Sequence, residues 1–145
     1  MLLRKILVTS LTVAAISLPT IALADLDTYN YTDEDSSVKI TNDPLGYNVC
    51  SYKLGQYTPK RPDASSYSFK HVPESAVRAV CDRMLIGGVC EADIYATKDC
   101  NGNVVAKASL NLDTNTVTVI NVPQPSGKQY NITASGSRVE IHYAS

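Results

Sequence analysis

The sequence predicts a mainly β domain with one helix, an α+β fold arranged as an antiparallel meander or a small sandwich and stapled by two disulfides. Three observations predict it. Apolar and polar residues alternate with a period of two through most of the chain after Val89. One stretch, Pro73 to Leu85, has a helical period instead. Four cysteines follow a secretory signal: Cys50, Cys81, Cys90 and Cys100.

Residues 1–24 have the organisation of a signal peptide. Arg4 and Lys5 form a positive n-region, residues 6–18 form an apolar h-region, and Ala22-Leu23-Ala24 fits the small-x-small cleavage rule. The apolar run is shorter than the roughly 20 residues that a membrane-spanning helix needs. We therefore expect no membrane span after processing and a periplasmic or extracellular location.

The charge of the processed chain argues against a nucleic acid partner. Removing residues 1–24 from the 145 leaves 121 residues, a length typical of one domain. The removed segment carries two of the 13 basic residues and no acid, so 11 basic residues face 14 acidic ones and the formal charge is −3. Binding to a phosphate backbone depends on clustered Lys and Arg, which this composition does not supply.

The first part of the processed chain is acidic. Residues 25–37 contain few large apolar side chains, so we predict a flexible acidic arm followed by a single disulfide-stabilised domain over residues 38–145. The pattern of residues 38–41 alternates as in a strand. Residues 47–57 are predicted to form a second strand that carries a cysteine, and the prolines and serines of residues 57–68 predict a loop.

One helix is predicted, and its apolar face is expected to belong to the core. Pro73 suits a first helical position, and Gly87-Gly88 suits a helix end. The residues that share the apolar face at a spacing of 3.6 are Ala76, Val77, Val80, Cys81, Met84 and Leu85.

After the helix, the period of two predicts a run of antiparallel strands. Asn101-Gly102 favours a type I′ hairpin turn, because both residues tolerate the positive φ that this turn requires. The helix is expected to pack on the resulting sheet or to close one end of it. The predicted strands are Cys90 to Cys100, Val104 to Leu112, Thr116 to Val122, Tyr130 to Ala134 and Arg138 to Tyr143.

An even number of cysteines in an oxidising compartment predicts two disulfides rather than a zinc site, since zinc ligands usually come in close pairs such as C-x-x-C. If Cys90 and Cys100 end one strand, they lie about 33 Å apart, beyond disulfide reach. Two pairings remain: Cys81–Cys90 with Cys50–Cys100, or Cys50–Cys90 with Cys81–Cys100. The first is favoured, because Gly87-Gly88 can fold the helix end back onto a strand start.

No catalytic, metal or cofactor site is predicted. His71 and His142 are the two histidines, and Pro73 favours an extended conformation for the residue before it, so His71 and Glu74 need not share a site. The motif G-x-S-x-G is absent. Residues 111–115 alternate oxygen ligands but lack the glycine and closing glutamate of a calcium loop, and they fit a hairpin turn.

Tyrosine dominates the aromatic composition, with nine Tyr, one Phe and no Trp. A tyrosine offers a rigid apolar ring and a hydroxyl, a combination that suits recognition of a protein or a glycan. The alternative is that the tyrosines cover sheet edges in a small domain without Trp. The candidate binding residues lie in the region before the helix: Tyr52, Tyr57, Arg61 and Tyr67.

The layout resembles small four-cysteine secreted proteins of Gram-negative bacteria, some of which are exported onward from the periplasm. The resemblance covers much of the processed chain and implies an exported, disulfide-bonded domain, but it assigns no catalytic residue. The segments that carry it are Val38-Lys39-Ile40-Thr41-Asn42, Val72-Pro73-Glu74-Ser75, Cys90-Glu91-Ala92-Asp93-Ile94-Tyr95 and Cys100-Asn101-Gly102.

Three functions follow from these observations, in order of preference. The first is a secreted or periplasmic binding module that recognises a protein or glycan through tyrosine-bearing loops. The second is an inhibitor of an exported hydrolase, which would insert a rigid loop into the cleft of the enzyme. The third is a small secreted enzyme that acts through His71 or His142 with a nearby acid.

Overall fold

Within residues 25–81 and 88–145, which the computed structural model describes, the chain forms two four-stranded β-sheets and one α-helix. The first sheet has the strand order β3-β1-β8-β7, and the second has the order β2-β4-β5-β6. The predicted α+β class is confirmed. In chain order the elements are β1 (Leu26–Asn30), β2 (Ser37–Ile40), the 3-10 helix η1 (Ser51–Leu54), β3 (Ser68–Val72), α1 (Glu74–Val80), β4 (Val89–Tyr95), β5 (Val104–Asn111), β6 (Thr116–Asn121), β7 (Tyr130–Ser135) and β8 (Arg138–Tyr143).

The architecture is a small sandwich with meander segments rather than one continuous meander. Strands β4, β5 and β6 pair antiparallel in sequence, as do β7 and β8. Strand β1 pairs antiparallel with β3 but parallel with β8. This register places Tyr29 beside Phe69 on one side and beside Glu140 on the other. The first sheet therefore joins residues from both ends of the described chain.

The prediction of a flexible acidic arm over residues 25–37 is wrong, because β1 is a central strand of the first sheet. Leu26 and Thr28 line the interior between the sheets, whereas Asp27 and Tyr29 alternate with them on the outer side. Of the acidic residues that argued against a core element, Asp27 lies on the outer side of the strand, and those at positions 33–35 lie in the turn that follows it.

The buried side chain of Asn30 orders that turn. Its Nδ2 donates hydrogen bonds to the carbonyl oxygens of Glu34 (2.8 Å) and Pro59 (3.1 Å). Its Oδ1 accepts from the backbone N of Thr32 (3.0 Å) and from the Thr32 hydroxyl (2.7 Å). Asn30 is fully buried, and these bonds satisfy its whole amide group. The side chain thus connects β1, the β1–β2 turn and the loop after η1.

The predicted strand over residues 47–57 is also wrong. Gly46 and Asn48 have positive φ angles of 73° and 42°, which interrupt an extended conformation, and the chain then forms η1. Only an isolated bridge joins Cys50 to Lys39. The region after η1 is largely the loop that the prolines predict, and it leads into β3, a strand that the sequence analysis does not anticipate.

Helix α1 begins at Glu74, one residue after the predicted first position, because Pro73 is the extended N-cap residue. Val77 is buried and packs with Cys90 and Leu110 in the core beneath the helix. The later residues of the predicted helix, Met84 and Leu85, and the predicted stop at Gly87 lie outside the described residues, as does the predicted signal peptide.

The single strand predicted from Cys90 to Cys100 is shorter in the structure. Strand β4 ends at Tyr95, and residues 96–103 form the connection to β5. Cys100 and Gly102 have positive φ angles of 60° and 83°, so the connection is a longer loop rather than a two-residue type I′ turn at Asn101-Gly102. The predicted strands that become β5, β6, β7 and β8 are confirmed.

Both disulfides form with the favoured pairing. Cys50 bonds to Cys100 with a Cα–Cα distance of 6.1 Å, and Cys81 bonds to Cys90 with a Cα–Cα distance of 5.6 Å. The second bond attaches the end of α1 to the start of β4. Since every cysteine is bonded, none is free to bind zinc.

The core has two parts, and hydrogen bonds join the sheets where their edge strands β6 and β7 meet. The Asn121 side chain of β6 donates to the carbonyl of Ile132 in β7 (3.1 Å) and accepts from its N–H (2.9 Å). The part beneath α1 contains Ile40, Val77, Cys81, Cys90, Ala92, Leu110 and Leu112. The part between the sheets contains Ile94, Val105, Ala106, Ile132, Val139 and Ile141.

Candidate functional site

The outer side of the first sheet carries a group of aromatic and charged side chains. Val139 and Ile141 of β8 are buried in the core, so the residues that alternate with them lie on the opposite side of the sheet. The same alternation applies to β1 and β3. We define the aromatic face as Tyr29, Tyr31, Tyr67, Phe69, Arg138 and His142.

Tyr29 lies at the centre of this face. Its ring centroid is 4.9 Å from that of Phe69 and 5.5 Å from that of Tyr67, and both pairs are tilted. The guanidinium carbon of Arg138 lies 3.9 Å from the Tyr29 ring centroid. Tilted aromatic pairs and a guanidinium over a ring are both favourable arrangements. Side chains from two other segments of the chain therefore converge on the Tyr29 ring.

Tyr31 continues the row of rings. Its centroid is 5.3 Å from that of Tyr67, and it stacks on the imidazole of His142 at 4.3 Å with an interplanar angle of 11°. Tyr67 and Phe69 remain 49% and 48% exposed. The row of rings therefore presents apolar surface to solvent, although its members support one another.

Charged groups lie among the rings. Asp27 Oδ1 is 2.5 Å from His71 Nδ1, and Glu140 Oε1 lies 3.6 Å from Arg138 and 3.7 Å from His142. These five side chains are 33–48% exposed. The face thus offers carboxylate acceptors together with guanidinium and imidazole donors.

Both histidines lie near a carboxylate. His71 contacts Asp27, while Glu74 pairs with Arg78 at 2.5 Å along the helix. His142 is stacked on a tyrosine ring. His71 is therefore paired with a different acid from the one that its sequence position suggests, whereas His142 lies 3.7 Å from Glu140, two residues before it.

The four predicted binding residues do not form one site. Tyr67 belongs to the aromatic face. Tyr52 and Tyr57 form a second group, 5.9 Å apart between ring centroids, with Lys98 Nζ at 5.0 and 5.3 Å from the two rings. Arg61 pairs instead with Asp33, at 2.8 Å.

Asp33 is the centre of a cluster at the β1–β2 turn. Arg61 and Lys128 approach its two carboxylate oxygens at 2.8 and 3.4 Å. Partial desolvation raises the pKa of Asp33, but the hydrogen bonds from Arg61 and Lys128 outweigh it, and the net pKa is lowered. The pKa of Lys128 is raised, mainly by its hydrogen bond to the Tyr143 hydroxyl. The cluster holds the turn against β8.

Glu34, in the same turn, accepts a hydrogen bond from the Tyr130 hydroxyl of β7. Burial and the adjacent carboxylate raise the pKa of Tyr130 far above the ordinary value for tyrosine. This contact attaches the turn to the edge of the first sheet and leaves the phenol protonated at neutral pH.

The sequence analysis misses most of the aromatic face. Tyr29, Phe69 and Arg138 lie on strands rather than loops, and they meet only because β1 is inserted between β3 and β8. A local signal exists for the first of them, since Leu26 and Thr28 alternate with Asp27 and Tyr29 as in a half-buried strand.

Over residues 25–81 and 88–145, no helix is both long enough and apolar enough to cross a membrane. In these same ranges, no group of three or more His, Cys, Asp or Glu side chains is placed to hold a metal ion.

The family model described as "T2SS substrate NttC" matches residues 1–142. The chain belongs to the NttC family. This is a family of type II secretion substrates, and the protein is accordingly secreted, through the periplasm to the extracellular space. The predicted location and the resemblance to secreted Gram-negative proteins are confirmed at this level.

One solved structure is similar in fold. It is described as the crystal structure of the Legionella pneumophila type II secretion system substrate NttC, and it matches with 23% sequence identity and a TM-score of 0.58. The match covers 83% of this chain and 98% of that chain. At this identity the likeness supports the fold alone. No curated protein matches the chain.

Proposed function

We propose that this secreted protein is a binding module that recognises a glycan through the aromatic face. The observation that carries the proposal is a row of partly exposed rings interleaved with carboxylate, guanidinium and imidazole groups on one side of a sheet. The sequence predicts either a protein or a glycan as partner, and the composition of this face favours the glycan.

The rings supply surfaces for stacking. One side of a pyranose ring presents C–H groups, which are attracted to the negative face of an aromatic ring. Tyr29, Phe69 and Tyr67 lie about one sugar width apart, with centroids separated by 4.9 and 5.5 Å. An extended polymer with repeated apolar ring faces fits such a row better than a single small molecule, because the row lies on a surface rather than in a cavity.

The charged groups supply partners for sugar hydroxyls, which both donate and accept hydrogen bonds. Asp27 and Glu140 can accept from hydroxyls, and Arg138 can donate to ring and hydroxyl oxygens. Since these side chains are already partly exposed, engaging them exchanges water for hydroxyl groups of similar polarity. The cost of desolvating them is therefore small compared with burying isolated charges.

A protein partner fits this face less well. The core of a protein–protein interface is depleted of charged residues, whereas here Asp27, Arg138 and Glu140 lie among the rings. Tyrosine and arginine are nevertheless frequent in protein interface hot spots. A binding experiment must therefore be able to detect either class of partner.

The test is retention on a glycan microarray, followed by affinity gel electrophoresis with the retained polysaccharide. The test variant is Tyr29→Ala/Phe69→Ala. The matched control is Lys107→Ala/Ile120→Ala, which changes two exposed positions on the outer side of the second sheet. Each lost ring contact is worth about 1 kcal/mol, so the test variant should bind about 30-fold more weakly.

The proposal is contradicted if no glycan is retained by the wild-type protein, or if the two double variants bind equally well. Capture of an extracellular protein that depends on Tyr29 and Phe69, in the absence of glycan binding, would identify the aromatic face as a protein interface and refute the glycan assignment.

A second candidate function, inhibition of an exported hydrolase, is supported by the loop after β2. Leu45 and Tyr47 are 63% and 74% exposed. Asp43 fixes the turn, because its side chain accepts from Leu45 N (2.9 Å) and its carbonyl accepts from Gly46 N (2.9 Å). The bond from Cys50 to the β4–β5 loop holds the end of this segment. Insertion into an enzyme cleft requires an exposed loop that has a fixed conformation and apolar residues at its tip, and this loop has both properties.

The inhibitor hypothesis predicts a stoichiometric block of a lysozyme or protease, which is lost in Tyr47→Ala and retained in Tyr29→Ala/Phe69→Ala. Absence of inhibition at micromolar concentration across a panel of both enzyme classes would rule it out. The glycan proposal is unaffected by that result.

A further inference from the structure

The outward side chains of the first sheet lie in three rows that run across its strands, and the two histidines occupy opposite rows. Residues paired between neighbouring strands share one face of a sheet, with the strands about 4.8 Å apart. The row at one end contains His71, Asp27 and Arg138. The middle row contains Phe69, Tyr29 and Glu140. In the row at the other end, His142 is stacked on the ring of Tyr31.

The two histidines decide the sign of the net charge of this face. When both are neutral, the carboxylates of Asp27 and Glu140 outweigh the guanidinium of Arg138, and the three groups sum to −1. When both histidines are protonated, the sum is +1. Histidine is the side chain that ordinarily changes its charge between about pH 5 and 8. Mild acidification therefore reverses the net charge of the aromatic face.

His71 adds its charge next to a carboxylate that already has a second cation beside it. Asp27 Oδ1 lies 2.5 Å from His71 Nδ1, and Arg138 is the partner of Asp27 on the opposite neighbouring strand. The acid of the following helix, Glu74, is paired with Arg78 instead. When His71 is protonated, two cations in this row face one carboxylate. An additional anion that approaches the row then meets an excess of positive charge.

His142 faces the carboxylate of Glu140 at 3.7 Å and the ring of Tyr31 at 4.3 Å. Protonation of His142 therefore neutralises the charge of Glu140. Beyond Tyr31, the cluster around Asp33 keeps its charges over the same pH range, because the pKa of Asp33 is lowered. The two bases that pair with Asp33 are Arg61 and Lys128. The pH-dependent change of charge on this side of the sheet thus comes from the histidines.

Arg138 supplies a specific contact for a carboxylate. Its guanidinium carbon lies 3.9 Å from the Tyr29 ring centroid, which fixes the guanidinium beside the row of rings. Its ion pair with Glu140 is loose, at 3.6 Å, and the side chain is 48% exposed, so its N–H groups can reach a ligand. A guanidinium matches the two oxygens of a carboxylate with two parallel hydrogen bonds.

We propose that the aromatic face binds polysaccharides that carry carboxylates, such as chains of uronic acids, and that protonation of His71 and His142 strengthens this binding. The inference rests on the proposed glycan function, to which it adds the class of glycan and the pH at which it binds. Sugar rings stack on the middle row, and a carboxylate of a neighbouring sugar reaches Arg138 and His71 in the adjacent row. The carboxylates of the sugar stay ionised at about pH 5.5, where the histidines become charged.

The experiment compares retention on a glycan microarray at about pH 5.5 and about pH 7.5, at equal and low ionic strength. The array carries polygalacturonate and alginate as acidic polysaccharides. Fully methyl-esterified polygalacturonate is the matched neutral probe, because it differs from its parent in the charge of the carboxyl groups. We expect the wild-type protein to bind the acidic polysaccharides about fivefold more tightly at the lower pH, and the ester equally at both.

Two double variants separate the histidines from other effects of pH. His71→Gln/His142→Phe has no group that becomes charged at these positions, and the phenyl ring can still stack on Tyr31. Its ratio of affinities between the two pH values should fall to about one. Asp27→Asn/Glu140→Gln gives the face a net charge of +1 with neutral histidines. It should bind polygalacturonate at the higher pH about as tightly as the wild type does at the lower pH.

Glu91→Gln/Asp93→Asn is the control for total charge. Both residues belong to β4 and alternate with buried Ala92 and Ile94, so they lie on the outer side of the second sheet. This variant changes the charge of the whole protein by the same amount as Asp27→Asn/Glu140→Gln. Its affinity for polygalacturonate should remain at the wild-type value at each pH.

The outcomes distinguish this inference from the proposed function. If neutral glycans are retained through Tyr29 and Phe69, but acidic polysaccharides gain nothing at the lower pH, the inference is overturned and the proposed function stands. If no glycan is retained at either pH, both are overturned. The inference also fails if the pH dependence survives in His71→Gln/His142→Phe, or if the control for total charge matches the effect of Asp27→Asn/Glu140→Gln.

Discussion

The two sheets follow the same alternation of inner and outer residues, yet their outer sides differ. On the first sheet, rings and charges meet around Tyr29. On the second sheet, Asp93, Lys107 and Ile120 lie in one row across three strands, with an ion pair of 3.4 Å between the first two. The second face has the composition of an ordinary solvated surface. The inner residues of the two sheets follow the same burial pattern. The difference between the aromatic face and an ordinary solvated surface therefore depends on the types of the outward-facing residues.

The sheets also differ in how they are held. Both disulfides attach to the second sheet or its β4–β5 loop, through Cys90 and Cys100. The first sheet is held by its core residues Ile132, Val139 and Ile141 and by hydrogen bonds, among them those of buried Asn30 and of the pair Glu34 and Tyr130. The second sheet is therefore the one that the disulfides cross-link, and the first sheet carries the aromatic face.

The largest expected effect is the loss of stability on removal of a disulfide. Removing the Cys50–Cys100 bond with Cys50→Ala/Cys100→Ala should lower the free energy of unfolding by about 4 kcal/mol, because the bond closes a loop with a sequence separation of 50. Removing Cys81–Cys90, with a separation of 9, should cost about 2.5 kcal/mol. Urea unfolding measures both. Equal losses, or a larger loss for the short loop, would argue against loop closure as the cause.

A slightly smaller effect tests the first sheet. Asn30→Ala should lower the free energy of unfolding by about 3 kcal/mol, since it removes one of the hydrogen bonds to each of the carbonyls of Glu34 and Pro59 and leaves the buried N–H of Thr32 without its acceptor. Asn131→Ala is the control, at an exposed position of β7. Urea unfolding again gives the comparison, and a loss for Asn30→Ala no larger than that of the control would contradict the role of this side chain.

The hydrogen bond from Tyr130 to Glu34 should contribute about 1.5 kcal/mol to the free energy of unfolding at neutral pH. The contribution is measured as the decrease in that free energy in Tyr130→Phe. The folded pKa of Tyr130 is raised, so its contribution is complete below the unfolded pKa of 10.0 and is lost as pH rises toward the folded pKa. The stability gap between wild type and Tyr130→Phe should therefore narrow above about pH 10. Tyr47→Phe, at an exposed position, is the control. A difference in the free energy of unfolding between wild type and Tyr130→Phe that stays constant from neutral pH to about pH 11 would contradict the assignment.

The smallest effect concerns the exposed charge cluster. Asp33→Asn should lower the melting temperature slightly, and the difference should vanish at about 1 M salt, where exposed ion pairs are screened. The pKa of Asp33 is lowered, so its contribution is present above the ordinary value of 3.8 and is lost as pH falls through the folded pKa. A difference that persists in high salt would point to packing of the turn rather than charge.

The sequence predicts the local features of the second half of the chain well. Strands β5 to β8 have clear alternation and turn residues between them, and the favoured disulfide pairing is the one that forms. Strand β1 is missed because Asp27 and Tyr29 occupy its outer side, which makes the segment look too polar for a core element. Burial of Leu26 and Thr28 depends on the sheet that surrounds the strand.

The candidate site is harder to predict, because it depends on pairing between distant segments. Tyr67 is identified from composition, but its neighbours Tyr29 and Tyr31 come from β1 and the residues after it, and Arg138 comes from β8. Tyr52 and Tyr57 have the same local character and yet form a separate group with Lys98. Residue type alone does not specify which rings meet; strand order does.

The most direct measurement of the central claim is an NMR map of the secreted chain saturated with its best-retained polysaccharide. The account predicts that the largest shift changes occur at Tyr29, Phe69 and Arg138 of the first sheet, with none at Lys107, Thr118 or Ile120 of the second. Shift changes confined to the second sheet, or to the Tyr52 and Tyr57 group, would contradict it.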